Sequence, residues 1–171
     1  VVSAVYGVPV GEVWPNEKIA AIKEAAASHG LEFEVVESIP VHEDIKMGLP
    51  TRDTYIEAYK ENLRRVAKAG VKCVCYNFMP VFDWLRTNLK YPHCSGAYSL
   101  AYDHEELLKL DPLNLHLPGW DESYKAGELQ ALVSAYQKLS EEDLFQNLVY
   151  FLSNVLPVAE EVGVRMAIHP D

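Results

Sequence analysis

The sequence is poor in positive charge and has no long hydrophobic run. Its 171 residues contain 15 lysines and arginines against 25 aspartates and glutamates, which gives a formal net charge of −10. Nucleic acid is not an expected partner, because a phosphate backbone selects clustered basic side chains. No stretch reaches the ~18 uninterrupted apolar residues that a membrane-spanning helix needs. A membrane partner is therefore not expected either.

Cysteine is scarce, with only Cys73, Cys75 and Cys94 in the whole chain. Their spacing is not that of a zinc ribbon. Cys73 and Cys75 alternate within an apolar run, where cysteine acts as a small hydrophobic residue. We therefore expect reduced thiols and a cytoplasmic location. The chain starts at Val1 without an initiator methionine and without the basic stretch of a signal peptide, so we expect further residues upstream.

A repeated pattern of helix, glycine and strand indicates how the chain folds. Hydrophobic residues make up 49% of it, enough for the core of one domain. Three predicted helices each end at a glycine (Gly30, Gly70 or Gly163), and an apolar strand follows at once. Glycine is favoured there because many helices end in a left-handed residue. The predicted strands are residues 1–6, 31–39, 71–78 and 164–168, and the predicted helices start near residues 15, 51 and 140.

The repeated unit predicts an α/β fold with about four parallel strands joined by right-handed crossover helices. A complete (β/α)8 TIM barrel needs ~250 residues. We therefore predict a partial TIM barrel that forms a single domain over residues 1–171. An open four-stranded sheet is the alternative, but no glycine-rich phosphate-binding loop follows the first strand.

Residues 81–139 interrupt the pattern and are predicted to be a long insertion after the third strand. The prolines and aromatic residues of this segment favour an ordered structure, and a helix is predicted over residues 128–139. A connection of this length in a compact domain is usually functional. We expect it to act as a lid or as the contact surface of an oligomer.

Two of the predicted helices start with capping residues. Thr51 is the expected N-cap of the second helix. Ser140 and Asp143 form an expected capping box at the start of the third, with aspartate in place of the usual glutamate.

The last predicted strand ends in His169, which is followed by Pro170 and Asp171. Parallel α/β proteins place their chemistry at the carboxyl ends of their strands. A neutral imidazole is a common ligand for manganese, iron and zinc, and a nearby carboxylate can complete the shell or orient the ring. His169 is therefore the candidate metal ligand. The alternative is a strand-end histidine satisfied by backbone groups.

The charged loop after the second strand is the next candidate region. Glu37 and His42 are predicted to face inward as substrate hydrogen-bonding or proton-transfer groups. The alternative is that Glu43, Asp44 and Lys46 are solvated and that a single residue of the loop matters.

Polar residues also follow the third strand. Asn77 could bind a polyol through its amide, and the alternative is a turn-forming asparagine. Trp84 and Arg86 could wall a pocket and bind a carboxylate. An ordinary surface helix with an Asp83–Arg86 pair is the alternative for those two residues.

Four segments in the same order resemble one enzyme family, the mannonate dehydratases. They read VVESIPVHEDIK (35–46), VCYNFMPVFDW (74–84), LPGW (117–120) and MAIHPD (166–171). The resemblance runs from end to end of the chain and implies a xylose-isomerase-like barrel. It also implies a divalent cation, Mn²⁺ or Fe²⁺, and the removal of water from D-mannonate to give 2-keto-3-deoxy-D-gluconate in glucuronate catabolism.

On this interpretation His169 is assigned to the metal, and His42, Asn77 and Glu37 to the sugar-acid substrate. The family's other metal ligands and its proton-transferring tyrosine lie beyond the equivalent of Asp171. Its opening Arg-Trp-Tyr-Gly motif lies before Val1. We expect a homodimer for the complete protein. Two alternatives stay open: a metal-dependent sugar isomerase or epimerase on the same barrel, and an inactive fragment that lacks most of the site.

Overall fold

The computed structural model describes residues 1–81, 86–109 and 128–169. The chain divides into two compact units, one of Val1–Pro80 with Leu139–Asp171 and the other of Val81–Lys138. In chain order the elements are β1 (Val2–Ser3), α1 (Asn16–Ala27), β2 (Val35–Val36), α2 (Glu43–Lys46), α3 (Arg52–Ala69), β3 (Cys73–Tyr76), β4 (Asn88–Pro92), β5 (Tyr98–Ala101), α4 (His104–Leu107), α5 (Glu128–Tyr136), α6 (Glu141–Val162) and β6 (Arg165–Ile168).

A four-stranded sheet in the order β1-β2-β3-β6 forms the centre of the first unit. Every neighbouring pair is parallel. The register pairs Val35 with Cys73 and Val74 with Met166. The prediction of four parallel strands with helices in the crossovers is therefore confirmed.

The strands are shorter than the sequence pattern predicts. β1 and β2 have two residues each, where six and nine were expected. Hydrogen bonds extend the ladder slightly beyond them, since Glu37 N–H donates to Ser3 O at 3.0 Å and Lys72 N–H to Glu34 O at 2.8 Å. An apolar run marks a segment that can be buried, whereas a strand also needs a neighbouring backbone at ladder distance.

The glycines that follow α3 and α6 occupy the predicted left-handed conformation. Gly70 has φ 100° and Gly163 has φ 72°, and each is the C-cap of its helix. Gly30 also has φ 69°, but α1 has already ended at Ala27. A left-handed residue turns the chain sharply at little cost when it has no Cβ, so the following strand can return along the sheet.

The two predicted helix starts have different outcomes. The capping box of α6 is confirmed: Asp143 N–H donates to Ser140 Oγ at 3.1 Å, and Ser140 N–H donates to Asp143 Oδ2 at 2.9 Å. Thr51 precedes α3 but makes no side-chain cap, because its own backbone is already helical (φ −80°, ψ −9°). Its hydroxyl donates to Asp44 instead.

Phe151 of α6 lies at the centre of the core in the first unit and is fully buried. Its ring meets that of Tyr59 on α3 edge-to-face at a centroid distance of 5.0 Å. It also contacts Tyr76 at 6.0 Å and Phe78 at 5.9 Å. Aromatic pairs of this kind add to the free energy of apolar burial. Phe151 thereby joins α3 and α6 to the carboxyl end of β3.

The second unit contains an antiparallel hairpin of β4 and β5, followed by α4 and α5. The predicted helix over 128–139 is present as Glu128–Tyr136. The hairpin was not predicted. Its turn is closed by His93 N–H donating to Ala97 O at 2.9 Å, with Gly96 at φ 82°. The Ser95-Gly96 dipeptide between tyrosine-containing segments is the turn signal that could have revealed it.

Within the three described segments, no helix has both the length and the apolar character needed to span a bilayer.

Candidate functional site

The carboxyl ends of β2, β3 and β6 lie side by side and bring three of the predicted residues to one edge of the sheet. Glu37 follows β2, Asn77 follows β3 and His169 follows β6. His169 N–H donates to Tyr76 O at 2.8 Å, which continues the β3–β6 ladder by one step. Asn77 and His169 therefore occupy corresponding positions, whereas Glu37, one step after the Val36–Val74 pair, lies level with Cys75.

Glu37 and His169 meet across β3, which lies between their strands in the sheet. The distance from His169 Nε2 to Glu37 Oε1 is 3.1 Å. Both side chains remain open to solvent, with 40% of the histidine and 46% of the glutamate exposed. An imidazole nitrogen and a carboxylate oxygen are thus in direct contact with each other, and both side chains are accessible to solvent.

Asn77 lies between these two residues in strand order and is largely buried, with 9% of its surface exposed. Ser38 Oγ lies 3.5 Å from Asn77 Oδ1, a long contact that leaves the amide little constrained by this neighbour. An amide at this position can donate and accept hydrogen bonds at the same edge.

His42 has a different environment from the other three residues. Its Nδ1 accepts a hydrogen bond from Asp44 N–H at 3.1 Å, so the ring is the N-cap of α2. The ring also stacks on Tyr55 at a centroid distance of 3.6 Å. Burial lowers the pKa of His42, and this effect outweighs the attraction of Asp44 and Glu43 for the charged form. With Nδ1 accepting, the neutral ring carries its proton on Nε2.

A groove of about 330 Å³ borders His169 on its apolar side. Phe78, Met79 and Ile168 line it from the strand ends, and Leu144 and Phe145 line it from α6. The imidazole therefore lies between a polar edge and an apolar wall. Sites for small polar molecules commonly combine a few polar groups with apolar walls in this way.

His169 and Glu37 are the candidate donors for a metal ion among the described residues at this edge. Among them, no group of three or more histidine, cysteine, aspartate and glutamate side chains is arranged to hold an ion. Burial raises the pKa of the Cys75 thiol, and the nearby Cys73 and Glu37 raise it further. The Cys75 thiol is therefore protonated at neutral pH. His169 and Glu37 remain as an imidazole and a carboxylate donor.

Lys46 is a polar residue whose environment the sequence analysis did not foresee. The alternative interpretation of the charged loop placed it in solvent, and this is wrong, because only 3% of Lys46 is exposed. Its ammonium group donates to Glu43 Oε1 at 2.8 Å and to Met79 O at 3.0 Å. The Met79 acceptor is 33 positions away, so no local signal could have revealed it.

Several predicted positions lie outside the described residues. Asp83, Trp84, Pro170 and Asp171 are among them, as is the LPGW segment at 117–120. Arg86 is described and half-buried, and its assignment to a carboxylate stays a prediction.

Comparisons with known proteins agree with this architecture. The family model described as D-mannonate dehydratase (UxuA) matches residues 1–171. Mannonate dehydratase 2 of Halalkalibacterium halodurans is 53% identical over 100% of this chain and 50% of its own length. A mannonate dehydratase of Streptococcus suis is 54% identical over 100% of this chain and 48% of its own length.

A solved structure gives the same result. The crystal structure of mannonate dehydratase from Streptococcus suis serotype2 is 50% identical in sequence, with a TM-score of 0.86. The match covers 99% of this chain and 46% of that one. This chain therefore spans about half the length of the curated relatives it matches.

Parallel βα units with polar groups at a shared carboxyl edge define an α/β protein of the barrel class, present here as a partial barrel. The chain belongs to the D-mannonate dehydratase (UxuA) family. The resemblance found in its four sequence segments is confirmed. The roles of individual site residues stay predictions.

Proposed function

We propose that the complete protein is a mannonate dehydratase, a lyase that converts D-mannonate into 2-keto-3-deoxy-D-gluconate and water. One observation carries the proposal: in a chain of this family, His169 and Glu37 meet at 3.1 Å beside Asn77. The proposal concerns the complete protein, because this chain covers 50% of the Halalkalibacterium halodurans relative.

The reaction removes a proton from the carbon beside the carboxylate and the hydroxyl group from the next carbon. Water leaves, and the enol that remains rearranges to the 2-keto acid. Most of the free-energy barrier to the reaction comes from the negative charge that develops at the carboxylate end as the proton departs. A group that accepts the proton and groups that hold the hydroxyls in place are therefore needed.

The described residues can meet part of this need. Glu37 is positioned to accept a hydrogen bond or a proton at the sheet edge, and the Asn77 amide can bind hydroxyl groups of the sugar acid. His42 would bind the substrate through Nε2–H, since its Nδ1 already accepts from Asp44. We propose all three as substrate-binding residues and assign none of them as the catalytic base.

We further propose that His169 is one ligand of a resident Mn²⁺ or Fe²⁺. An imidazole nitrogen with a carboxylate nearby is a donor set that suits either ion. When bound, such a cation supplies positive charge that stabilises charge developing on the substrate. A protein site usually provides three or four ligands, so the described residues account for part of the shell.

The proposal also includes an oligomer and a cellular location. We propose a homodimer in which residues 81–139 contribute to the contact, and a cytoplasmic place in glucuronate catabolism. The exposed rings of Tyr91 and Tyr98 on β4 and β5 support a contact surface, since 49% and 61% of these residues are exposed. Deleting residues 81–139 from the complete protein should convert the dimer into a monomer. Light scattering measures this as a fall in mass beyond that of the deleted residues.

The test is to incubate the purified complete protein with D-mannonate and Mn²⁺ and to measure 2-keto-acid formation. Dehydration with loss of one water per substrate is the expected result. Conversion of a sugar without water loss would favour an isomerase or epimerase and contradict the proposal. The 171-residue chain, assayed in parallel, should be inactive if the site needs ligands from outside it.

A further inference from the structure

Lys46 is a charged side chain buried near the carboxyl edge of the sheet, at 3% exposure. Lysine is rarely buried without partners, because removing an ammonium group from water is costly. Its retention in the core of the first unit therefore indicates a specific set of contacts, and those contacts determine what the residue can do.

The contacts join three parts of the fold. Lys46 Nζ donates to Glu43 Oε1 at 2.8 Å within α2, and to the backbone carbonyl of Met79 at 3.0 Å. The Lys46 carbonyl in turn accepts from Asn147 Nδ2 of α6 at 2.9 Å. Gly48 allows this approach, because a Cβ there would lie 2.5 Å from Asn147 Oδ1.

The Met79 carbonyl belongs to the turn that leads out of β3. Asn77 lies two positions before Met79, and Met79 itself lines the groove that borders His169. Phe78 between them is held by Phe151, at a centroid distance of 5.9 Å. The turn is therefore fixed by an aromatic contact on one residue and by the lysine ammonium group on the next.

We propose that Lys46 is a positioning residue that holds the exit turn of β3, residues 77–79, in the geometry needed to bind substrate. The proposal rests on the proposed function, in which Asn77 binds the sugar acid. Lys46 acts through the Met79 carbonyl and does not itself contact the substrate.

Lys60 provides a matched control on α3. It makes the same local pair, with Nζ donating to Glu57 Oε1 at 2.7 Å three positions earlier. Its side chain is 15% exposed, and its partner lies on the same helix. Lys60→Met therefore removes a comparable ion pair without touching the exit turn.

The experiment compares Lys46→Met with Lys60→Met in the complete protein. Hydrogen–deuterium exchange of peptides covering residues 76–81 should become at least about 10-fold faster in Lys46→Met. The kcat/KM for D-mannonate should fall about 10- to 100-fold, mainly through KM, since small displacements of binding groups have effects of that size. Metal content should not change. Lys60→Met should match the wild type in all three measurements.

If Lys46→Met does not fold, Glu43→Ala carries the test, because it keeps the lysine and removes one of its acceptors. Faster exchange at 76–81 with unchanged exchange elsewhere is expected. Exchange at 76–81 equal to the wild type, or a uniform increase across the chain, would overturn the proposal. If exchange at 76–81 is faster in Lys46→Met but the wild-type protein does not dehydrate D-mannonate, the proposed function is refuted and the positioning role of Lys46 is not.

Discussion

Replacing Phe151 tests whether a single aromatic contact cluster joins the helices to the site-bearing end of β3. Phe151 is fully buried and its ring contacts three aromatic residues, Tyr59, Tyr76 and Phe78. Two variants separate the contributions. Phe151→Ala removes the side chain volume, and Phe151→Leu keeps much of the volume but loses the ring.

The expected magnitudes follow from burial and ring geometry. A buried Phe→Ala substitution lowers the free energy of unfolding by about 3–5 kcal/mol. Phe151→Leu loses the ring contacts, of which the 5.0 Å pair with Tyr59 at an interplanar angle of 88° is the best aligned. This well-aligned pair alone contributes about 0.5–1.5 kcal/mol, so Phe151→Leu should lose at least about 0.5 kcal/mol, and less than Phe151→Ala.

The measurement is urea unfolding of the complete protein and both variants, followed by tryptophan fluorescence and circular dichroism. The midpoint should shift while the denaturant slope stays constant, which identifies a change in stability. A loss below about 1 kcal/mol in Phe151→Ala is typical of surface substitutions and would contradict a central place for Phe151 in the core. A Phe151→Leu variant as stable as the wild type would show that the ring contacts contribute nothing.

Two further predictions concern helix starts. His42→Asn keeps an N-cap acceptor for Asp44 N–H but does not titrate. Burial lowers the pKa of His42 below its ordinary 6.5, so the unfolded state binds the proton more readily than the folded state does. The free energy of unfolding of the wild type should therefore fall as the pH drops below about 6.5. Urea unfolding at several pH values should show a shallower fall in His42→Asn, and identical slopes would contradict this. Ser140→Ala should cost about 0.5–2 kcal/mol through loss of the α6 cap, and an unchanged urea midpoint would count against it.

Much of the first unit could be predicted because its signals are local. Gly70 and Gly163 end helices in left-handed conformations, and the Ser140–Asp143 box starts one. Each depends on residues within a few positions, so the sequence pattern contains the whole cause. The parallel order of the strands then follows from the repeated crossover, and it places Glu37 and His169 at the same edge.

The contacts that sequence reasoning missed join distant parts of the chain. The Lys46 ammonium group is buried because Met79, 33 positions later, supplies an acceptor, and its carbonyl is paired because Asn147 lies 101 positions later. Thr51 does not cap α3 because its own backbone is helical, and its hydroxyl donates to Asp44, seven positions earlier. A charged loop residue looks solvated until its partners are known.

The strand ends share one edge, and we propose that His169 holds a metal ion there. Elemental analysis of the complete protein, purified with Mn²⁺ or Fe²⁺ present, tests this most directly when His169→Ala is compared with His29→Ala. His29 is an exposed control at the end of α1, where its ring contacts Ser28 and Ala25 O. We expect bound metal in the wild type and in His29→Ala, and its loss in His169→Ala. Unchanged metal content in a folded His169→Ala protein would contradict it.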